Sequence, residues 1–304
     1  MPGRLYDLLE RELDQGNPLL SPEQQERFRK YYGKLVAHPG RRRFYRYNWR
    51  RRIEQVARLL RALAQDGEEV RILDAGCGYG TESILWGGLA RNVRVLAVDC
   101  DPRLIRAARE RLRYYAETLG RPLSVEFVND DAVNVLSGGG FDMVWAMEAV
   151  SHIHPAERFL AAAAAALAPG GYLAVSDSNL LNPIMALQVW RLRWRGVLTD
   201  ERRTEAGLRV RMVCERLFSR LGMLARLRGL GLAIRHCEVH VFFPPWLPAS
   251  GGLFSLAGAW DRLLGAVPGL KELGGVYTIV AQKRHPLFRR AQPAEKGRRH
   301  RGNG

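Results

Sequence analysis

Cysteine and lysine are both scarce in this chain of 304 residues. Its four cysteines, Cys77, Cys100, Cys214 and Cys237, form no CxxC pair and no cysteine–histidine spacing of the kind that binds zinc. Neither a disulfide scaffold nor a structural metal is therefore expected, and no metal is predicted at a functional site. A chain of this length can bury a full core without such devices. Sparse cysteine is typical of a reducing compartment.

Long uninterrupted apolar runs are missing as well. One uncharged stretch, residues 241–260, has the length of a membrane-spanning helix but carries three prolines and three glycines. It predicts a loop and a short helix, buried or at an interface. The N-terminal segment is charged and helical in pattern, unlike a signal peptide. We expect a cytoplasmic protein that can also contact a membrane peripherally. Nothing in the sequence specifies an oligomeric state.

The positive charge is unevenly distributed. Lysine supplies five of the 47 basic residues, and the net charge is +16. Residues 283–301 carry eight basic residues and one acid, so 284–304 is predicted to be a basic disordered tail. Arginines and aromatic residues also alternate at 41–52, as in sites that stack on nucleic-acid bases. Because the apolar positions there match one helix face, Trp49 is interpreted as a core residue.

Strand-like and helical segments alternate along the first half of the chain. Strands are predicted at 70–73, 93–98, 123–128, 141–147 and 172–176, and helices at 48–64, 81–90, 102–118 and 156–168. This alternation predicts an α/β fold, a parallel sheet with helices on both faces. Later helices are predicted at 183–195, 205–230 and 253–265, and later strands at 233–243 and 276–282. The predicted organisation is an N-terminal helical lid (1–47), one domain (48–283) with a helical insertion at 179–232, and the tail.

The clearest chemical signal is a glycine-rich turn where the first strand meets a helix. Asp74 ends the strand, and Gly76, Gly78 and Gly80 follow. Glycines in such a turn accept positive φ and let a ligand approach the backbone. The dinucleotide-binding pattern would need glycine at position 81, which is Thr81 here. An acid before the turn would repel a pyrophosphate and suit a cationic ligand.

Acids also follow the next two strands. Asp99 lies 19 residues after Gly80, near the interval at which an acid bonds ribose hydroxyls. Asp131 follows the third strand within Asn-Asp-Asp-Ala. With Asp74, these carboxylates predict a nucleoside site at the carboxyl edge of the sheet.

These motifs resemble those of the class I S-adenosylmethionine-dependent methyltransferases. The resemblance covers about residues 48–178 and the last strand near 276–283, and it rests on LDAGCGYG, AVDCDP, NDDA, FDMVWAMEAVSHI and LAPGGYLAVSDS. It implies a doubly wound, Rossmann-like sheet of seven strands with an antiparallel last strand, and S-adenosylmethionine as cofactor. The cofactor-binding residues it implies are Asp74, Ala75, Gly76, Cys77, Gly78, Tyr79, Gly80, Asp99, Cys100, Asp131, Ala132, Met147 and Glu148.

The resemblance also implies what each part of this set binds. The turn from Asp74 to Gly80 would hold the methionine part of the cofactor, and Asp99 would bond the ribose diol. Asp131 would reach the adenine, while Met147 and Glu148 would line the methyl-transfer end.

Candidate catalytic residues follow strand four. They are His152, His154 and Glu148, with His152 first because it lies nearer the strand end. Imidazole titrates near neutral pH, so either histidine suits an acceptor that must lose a proton. Alternatively, both histidines only cap or pack the next helix. Tyr31 and Tyr32 of the lid are further candidates for acceptor contact.

Two acceptor classes stay open. The apolar segment 179–275 would form a roomy pocket, which indicates a small-molecule or lipid-like acceptor. The alternative is RNA or protein recruited by the basic surfaces. Nucleic acid is disfavoured because three signatures of family members that act on it are missing: a (D/N/S)PP(Y/F/W) tetrapeptide after strand four, a Pro-Cys pair, and a lysine between residues 34 and 271. Cofactor binding without catalysis is a third hypothesis. The acceptor atom is not specified.

Overall fold

A seven-stranded sheet forms the centre of the protein. The computed structural model describes residues 2–15, 17–28, 39–194, 199–213, 216–243 and 251–284. The strands of the sheet are β1 (Val70–Ala75), β2 (Val93–Asp99), β3 (Val125–Asn129), β4 (Phe141–Met147), β5 (Leu167–Ser178), β8 (Leu232–His240) and β9 (Val276–Lys283), and a separate hairpin holds β6 (Thr199–Arg203) and β7 (Arg209–Val213). The strand order is β3-β2-β1-β4-β5-β9-β8. Strands β1 to β5 pair in parallel, and β9 lies antiparallel between β5 and β8. The predicted sheet with an antiparallel last strand is confirmed.

Helices cover both faces of this sheet. They are α1 (Pro2–Gln15), α2 (22–28), α3 (Pro39–Leu63), α4 (Thr81–Gly87), α5 (Pro102–Leu119), α6 (Ala132–Val135), α7 (Ala156–Ala166), α8 (Pro183–Trp194), α9 (Arg220–Gly229) and α10 (Gly251–Ala266). One core lies under α1, α3, α4 and α5 and includes Trp49 and Trp86. The other lies under α7 and α9 and includes Phe159 and Met223. The strands are thus buried on both sides, as the alternating sequence predicted.

Local sequence signals set the helix ends near the carboxyl edge. Asp101 accepts a hydrogen bond from the Arg103 backbone N–H and caps α5, whose first residue is Pro102. Helix α4 ends earlier than predicted, at Gly87. A Cβ on Gly87 would lie 2.4 Å from Val125 Cγ2, so β3 packs closely against the end of this helix.

The predicted helix at 205–230 is wrong in its first half. Residues 199–213 form the β6–β7 hairpin, and α9 begins only at Arg220. The alternation of basic and apolar residues in Arg209–Val213 is a strand period, and it is the signal that identifies β7. The helix predicted from residue 48 begins at Pro39, and in this added part Arg46 pairs with Glu10 of α1 at 3.5 Å.

In the described ranges, no helix combines the length and the hydrophobicity needed to cross a bilayer. The same ranges hold no group of three or more metal-ligating side chains.

Candidate active site

The glycine-rich turn joins β1 to α4 at the carboxyl edge of the sheet. Gly76, Gly78 and Gly80 have φ values of 74°, 55° and 72°, a region that other residues rarely adopt. A Cβ on Gly76 would lie 2.8 Å from the Ala149 Cβ, and one on Gly80 would lie 2.4 Å from Phe127 Cζ. These two glycines permit packing. A Cβ on Gly78 would meet nothing within 4 Å, so the open side of Gly78 is where the turn can receive a ligand.

The residues beside these glycines pack the turn against the rest of the protein. Ala75 and Cys77 are buried in the core. The Tyr79 ring packs edge-to-face on Phe28 of α2, with 5.2 Å between ring centroids. Their side chains therefore hold the turn in place, and ligand contact from this stretch would come through its backbone.

Asp74 is buried at the end of β1. The Ser83 hydroxyl donates to its Oδ2 at 2.5 Å. Burial raises the pKa of Asp74 to about 8; the Ser83 bond opposes this, while the charges of Glu82 and Asp99 add to it. The carboxyl group is therefore largely protonated at neutral pH. A cationic group placed beside it would stabilise the carboxylate and release that proton.

Asp99 connects the end of β2 to the glycine turn. Its Oδ2 accepts the Gly78 N–H at 2.9 Å, and its Oδ1 accepts the Asp101 N–H at 2.9 Å. Burial raises the pKa of Asp99, although both backbone bonds oppose this. Each carboxylate oxygen keeps acceptor capacity for one more donor. The geometry suits a pair of hydroxyls, as the resemblance implies.

The adenine-side candidates lie past β2 and β3 at the same edge. Asp131 caps α6, with its Oδ1 accepting the Val133 N–H at 2.9 Å, and Ala132 is the first residue of that helix. Cys100 is half-buried, and burial followed by the Asp99 charge raises the pKa of its thiol to about 12. Contact of these residues with an adenine stays a prediction.

The β6–β7 hairpin reaches this side of the site, which the sequence did not indicate. Arg202 forms an ion pair with Asp101. The Glu205 N–H donates to Asn129 Oδ1 at 2.5 Å. The insertion after β5 therefore touches the ends of both β2 and β3.

Glu148 occupies the methyl-transfer end, just after half-buried Met147. Its φ of 50° is left-handed, which costs a non-glycine residue about 1–2 kcal/mol. It forms an ion pair with Arg52 of α3, and the Ser178 hydroxyl donates to its Oε1 at 3.2 Å. The Glu148 side chain is 38% accessible, so its carboxylate can be reached from outside the protein. Burial raises its pKa, but Arg52 outweighs this and holds the pKa below its ordinary value.

A second acid lies beside Glu148 at the end of β5. Asp177 is buried and accepts the backbone N–H groups of Ser151 and Ser178, each at 3.0 Å. Burial and then the Glu148 charge raise the pKa of Asp177 well above its ordinary value. The pKa values of these two neighbouring acids are therefore shifted in opposite directions.

The two candidate histidines differ in their surroundings. His152 is half-buried, and its positive form lies close enough to Glu148 to lower the pKa of that carboxyl. His154 is exposed. The structure thus places His152 near the partly accessible Glu148 carboxylate, whereas His154 is exposed. Neither residue is assigned a catalytic role by this placement alone.

Sequence reasoning missed the polar residues that other elements bring to this edge. Arg52 comes from α3, Asp177 from β5 and Tyr277 from β9, opposite Asp177 in the strand register. The Tyr277 hydroxyl and the Ser151 hydroxyl are buried and find no hydrogen-bond partner among the described residues. The strand register brings Tyr277 to Asp177, and the crossing of α3 brings Arg52 to Glu148; no local sequence pattern links these residues.

The N-terminal helix also supports the turn. Glu12 and Arg111 form an ion pair in which each side chain is 1% exposed. Arg111 also donates to the Tyr79 carbonyl and, at 3.0 Å, to Thr81 Oγ1. Tyr31 and Tyr32 lie outside the described residues, as do 285–304 of the predicted tail.

Parts of the sequence match known proteins. Residues 72–171 match the family described as methyltransferase domain. The chain is 30% identical over 125 residues to the erythromycin 3''-O-methyltransferase of Saccharopolyspora erythraea, covering 41% of this chain and 40% of that protein. It is 38% identical over 115 residues to a ubiquinone biosynthesis O-methyltransferase of Methylocella silvestris, covering 37% and 41%. The chain thus spans about two fifths of the length of these relatives.

A solved structure extends the likeness beyond the glycine-rich half. Magnesium protoporphyrin IX methyltransferase from Synechocystis PCC 6803, with bound SAH, aligns with a TM-score of 0.54 over 85% of this chain and 93% of that one. At 16% identity this similarity shows a shared fold. Residues 72–171 thus carry a methyltransferase domain, in agreement with the resemblance to the class I S-adenosylmethionine-dependent methyltransferases and with S-adenosylmethionine as cofactor.

Proposed function

We propose that this protein transfers the methyl group of S-adenosylmethionine to a small-molecule or lipid-like acceptor. The position of Glu148 supports this proposal: it follows β4 at the carboxyl edge beside the cofactor residues, and its partly accessible side chain would line an acceptor cleft there. The names of the two relatives given above refer to erythromycin and to ubiquinone biosynthesis, and both erythromycin and ubiquinone are small molecules.

The residues at the edge of the sheet fit the cofactor. Gly78 leaves open space, Asp99 keeps two acceptor positions for a diol, and Asp74 suits a cationic amino group. When bound, S-adenosylmethionine supplies an electrophilic methyl group on a positively charged sulfur. The task of the chain is then to hold the acceptor in line and to exclude water.

We assign the proton-accepting role to His152. It is half-buried beside the Glu148 carboxylate, which Arg52 keeps ionised. A fixed negative charge stabilises the imidazolium that forms when the acceptor loses its proton. Glu148 is therefore a positioning residue for His152 and a poor base itself.

The matched pair His152→Gln and His154→Gln tests this role. We expect His152→Gln to lower kcat roughly 10²- to 10⁴-fold with unchanged cofactor affinity, and His154→Gln to leave kcat near wild type. Equal behaviour of the two variants would refute the assignment.

An RNA acceptor is less well supported because part of the basic cluster at 41–52 already pairs with acids of the protein. Trp49 is 4% exposed and cannot stack on a base. Arg50 pairs with Glu10 at 3.0 Å, and Arg51 pairs with Glu238. These arginines are already neutralised by acids, which weakens their attraction for phosphates.

Label transfer distinguishes the acceptor classes. The full chain is incubated with methyl-tritiated S-adenosylmethionine and, separately, with a lipid and small-molecule extract, total RNA, or soluble protein from a bacterial culture. We expect label in the extract, and no label when Gly78→Val, which should abolish cofactor binding, replaces the wild type. Label in RNA or protein alone would overturn the proposed acceptor class.

A further inference from the structure

Helix α10 exposes a continuous apolar stripe. Leu253, Leu256, Trp260 and Leu263 are between 54% and 60% exposed. Their spacing of three, four and three residues places them on one helix face. Another face of the helix packs on the protein: Asp261 is buried there and accepts a hydrogen bond from the Tyr47 hydroxyl at 2.5 Å. The helix is therefore amphipathic with its apolar stripe turned to solvent.

Helix α8 carries a second stripe of the same kind. Ile184, Leu187 and Trp190 follow one another at intervals of three residues and are 37%, 47% and 58% exposed. A stripe of exposed apolar side chains on a helix marks an interaction site rather than scattered surface residues, and here two helices that follow β5 and β8 each carry one. We call these two stripes together the α8–α10 face.

The α8–α10 face adjoins the proposed acceptor cleft. Helix α8 follows β5 directly, and the last residue of that strand, Ser178, donates to Glu148. The Asn182 side chain donates at 2.8 Å to the carbonyl of Leu273, which joins the start of α8 to the turn after α10. Both stripes therefore lie at the edge of the sheet where the acceptor must enter.

The exposed charges of the face are all basic. Residues 179–194 contain arginines and no acid, and Arg191 is exposed. Residues 251–271 contain exposed Arg262, half-buried Lys271 and a single acid, the buried Asp261. A positive rim around leucine and tryptophan side chains complements an anionic lipid surface, and tryptophan favours the membrane–water interface.

We propose that the α8–α10 face docks on an anionic lipid bilayer, with both helices lying in the interface plane. The inference rests on the proposed function in one respect: docking would let a lipid-like acceptor pass from the bilayer into the cleft beside Glu148. Docking itself needs neither cofactor nor acceptor.

Vesicle binding of the full chain tests the proposal. Co-sedimentation is measured with vesicles of phosphatidylcholine alone and of phosphatidylcholine mixed with phosphatidylglycerol. We expect binding to the mixed vesicles that weakens with salt. The double change Leu256→Gln and Trp260→Gln should lower the partition coefficient roughly tenfold or more. The matched control is Leu230→Gln, which is 37% exposed at the opposite edge of the sheet and should bind as wild type.

Three outcomes would overturn the proposal. The first is no binding to either vesicle while the double variant converts a dimer to a monomer, because a second copy then covers the face. The second is normal binding by the double variant together with loss of binding when 285–304 is removed. The third is an equal loss in the Leu230→Gln control. Calorimetric binding of S-adenosylmethionine to each variant shows that it is folded and keeps docking separate from the cofactor site.

Discussion

Replacing Asp99 by alanine tests both the cofactor site and the way it is built. Its carboxylate accepts the Gly78 and Asp101 N–H groups at 2.9 Å each and has capacity for two ribose hydroxyls. Loss of the hydroxyl contacts should cost about 1.5–3 kcal/mol, the range for bonds to a charged group. At about 1.4 kcal/mol per decade, cofactor binding weakens roughly ten- to a hundredfold. The two backbone N–H groups also lose their acceptor, so the free energy of unfolding should fall by about 1–3 kcal/mol.

Two measurements separate these effects. Titration calorimetry gives the affinity for S-adenosylmethionine, and urea unfolding gives the stability of the cofactor-free protein. The matched control is Asp142→Ala, whose carboxylate accepts the Arg71 N–H at 2.8 Å at the amino edge of the sheet. It should lose stability but keep cofactor affinity. Wild-type affinity in Asp99→Ala would refute the reasoning and move the ribose contact to another acid such as Asp101.

Three further predictions concern the turn and its supports. Gly78→Val should abolish cofactor binding in calorimetry, because a branched side chain at φ 55° strains the backbone and fills the open space beside the turn. Retained binding would show that the cofactor lies elsewhere. The pKa of Asp74 in the folded protein is about 8, above its ordinary value, so the folded protein binds this proton more tightly than the unfolded chain. The cofactor-free protein should therefore become more stable as pH falls from about 8 towards 4. Asp74→Asn should remove this part of the pH dependence when stability is measured by urea unfolding. Glu12→Ala removes the carboxylate that neutralises the buried Arg111, so it should lower the free energy of unfolding by about 3–5 kcal/mol and weaken cofactor binding. An unchanged unfolding midpoint would mean that the Arg111 charge is neutralised or solvated in another way.

The sequence was sufficient for the elements whose signal is local. Strands β1 to β5 are apolar runs that end in acids or turns, so their order along the chain and the carboxyl-edge position of Asp74, Asp99 and Asp131 could be predicted. Strand β6, Thr-Asp-Glu-Arg-Arg, has no apolar residue and few strand formers, so its pairing with β7 depends on the hairpin rather than on burial.

The rest of the site depends on contacts between distant segments. The pairing of Arg52 with Glu148 requires α3 to cross the carboxyl edge, and no periodicity in either segment specifies that crossing. Tyr277 meets Asp177 only through the register of β9 against β5. The pairing of Asp101 with Arg202 was likewise hidden, because the position of the hairpin could not be predicted.

The place of β9 in the sheet has a consequence for how the protein is made. Strand β9 fills the gap between β5 and β8, yet it begins at Val276, long after β5 ends at Ser178. At roughly 5–20 residues per second of synthesis, β5 waits about 5–20 s before its partner has been synthesised. During that interval the edge of β5 is unpaired, and once residue 240 has been made β8 also lacks its partner. A nascent chain of this kind is a natural client for chaperones, and shortening the insertion would shorten that exposure.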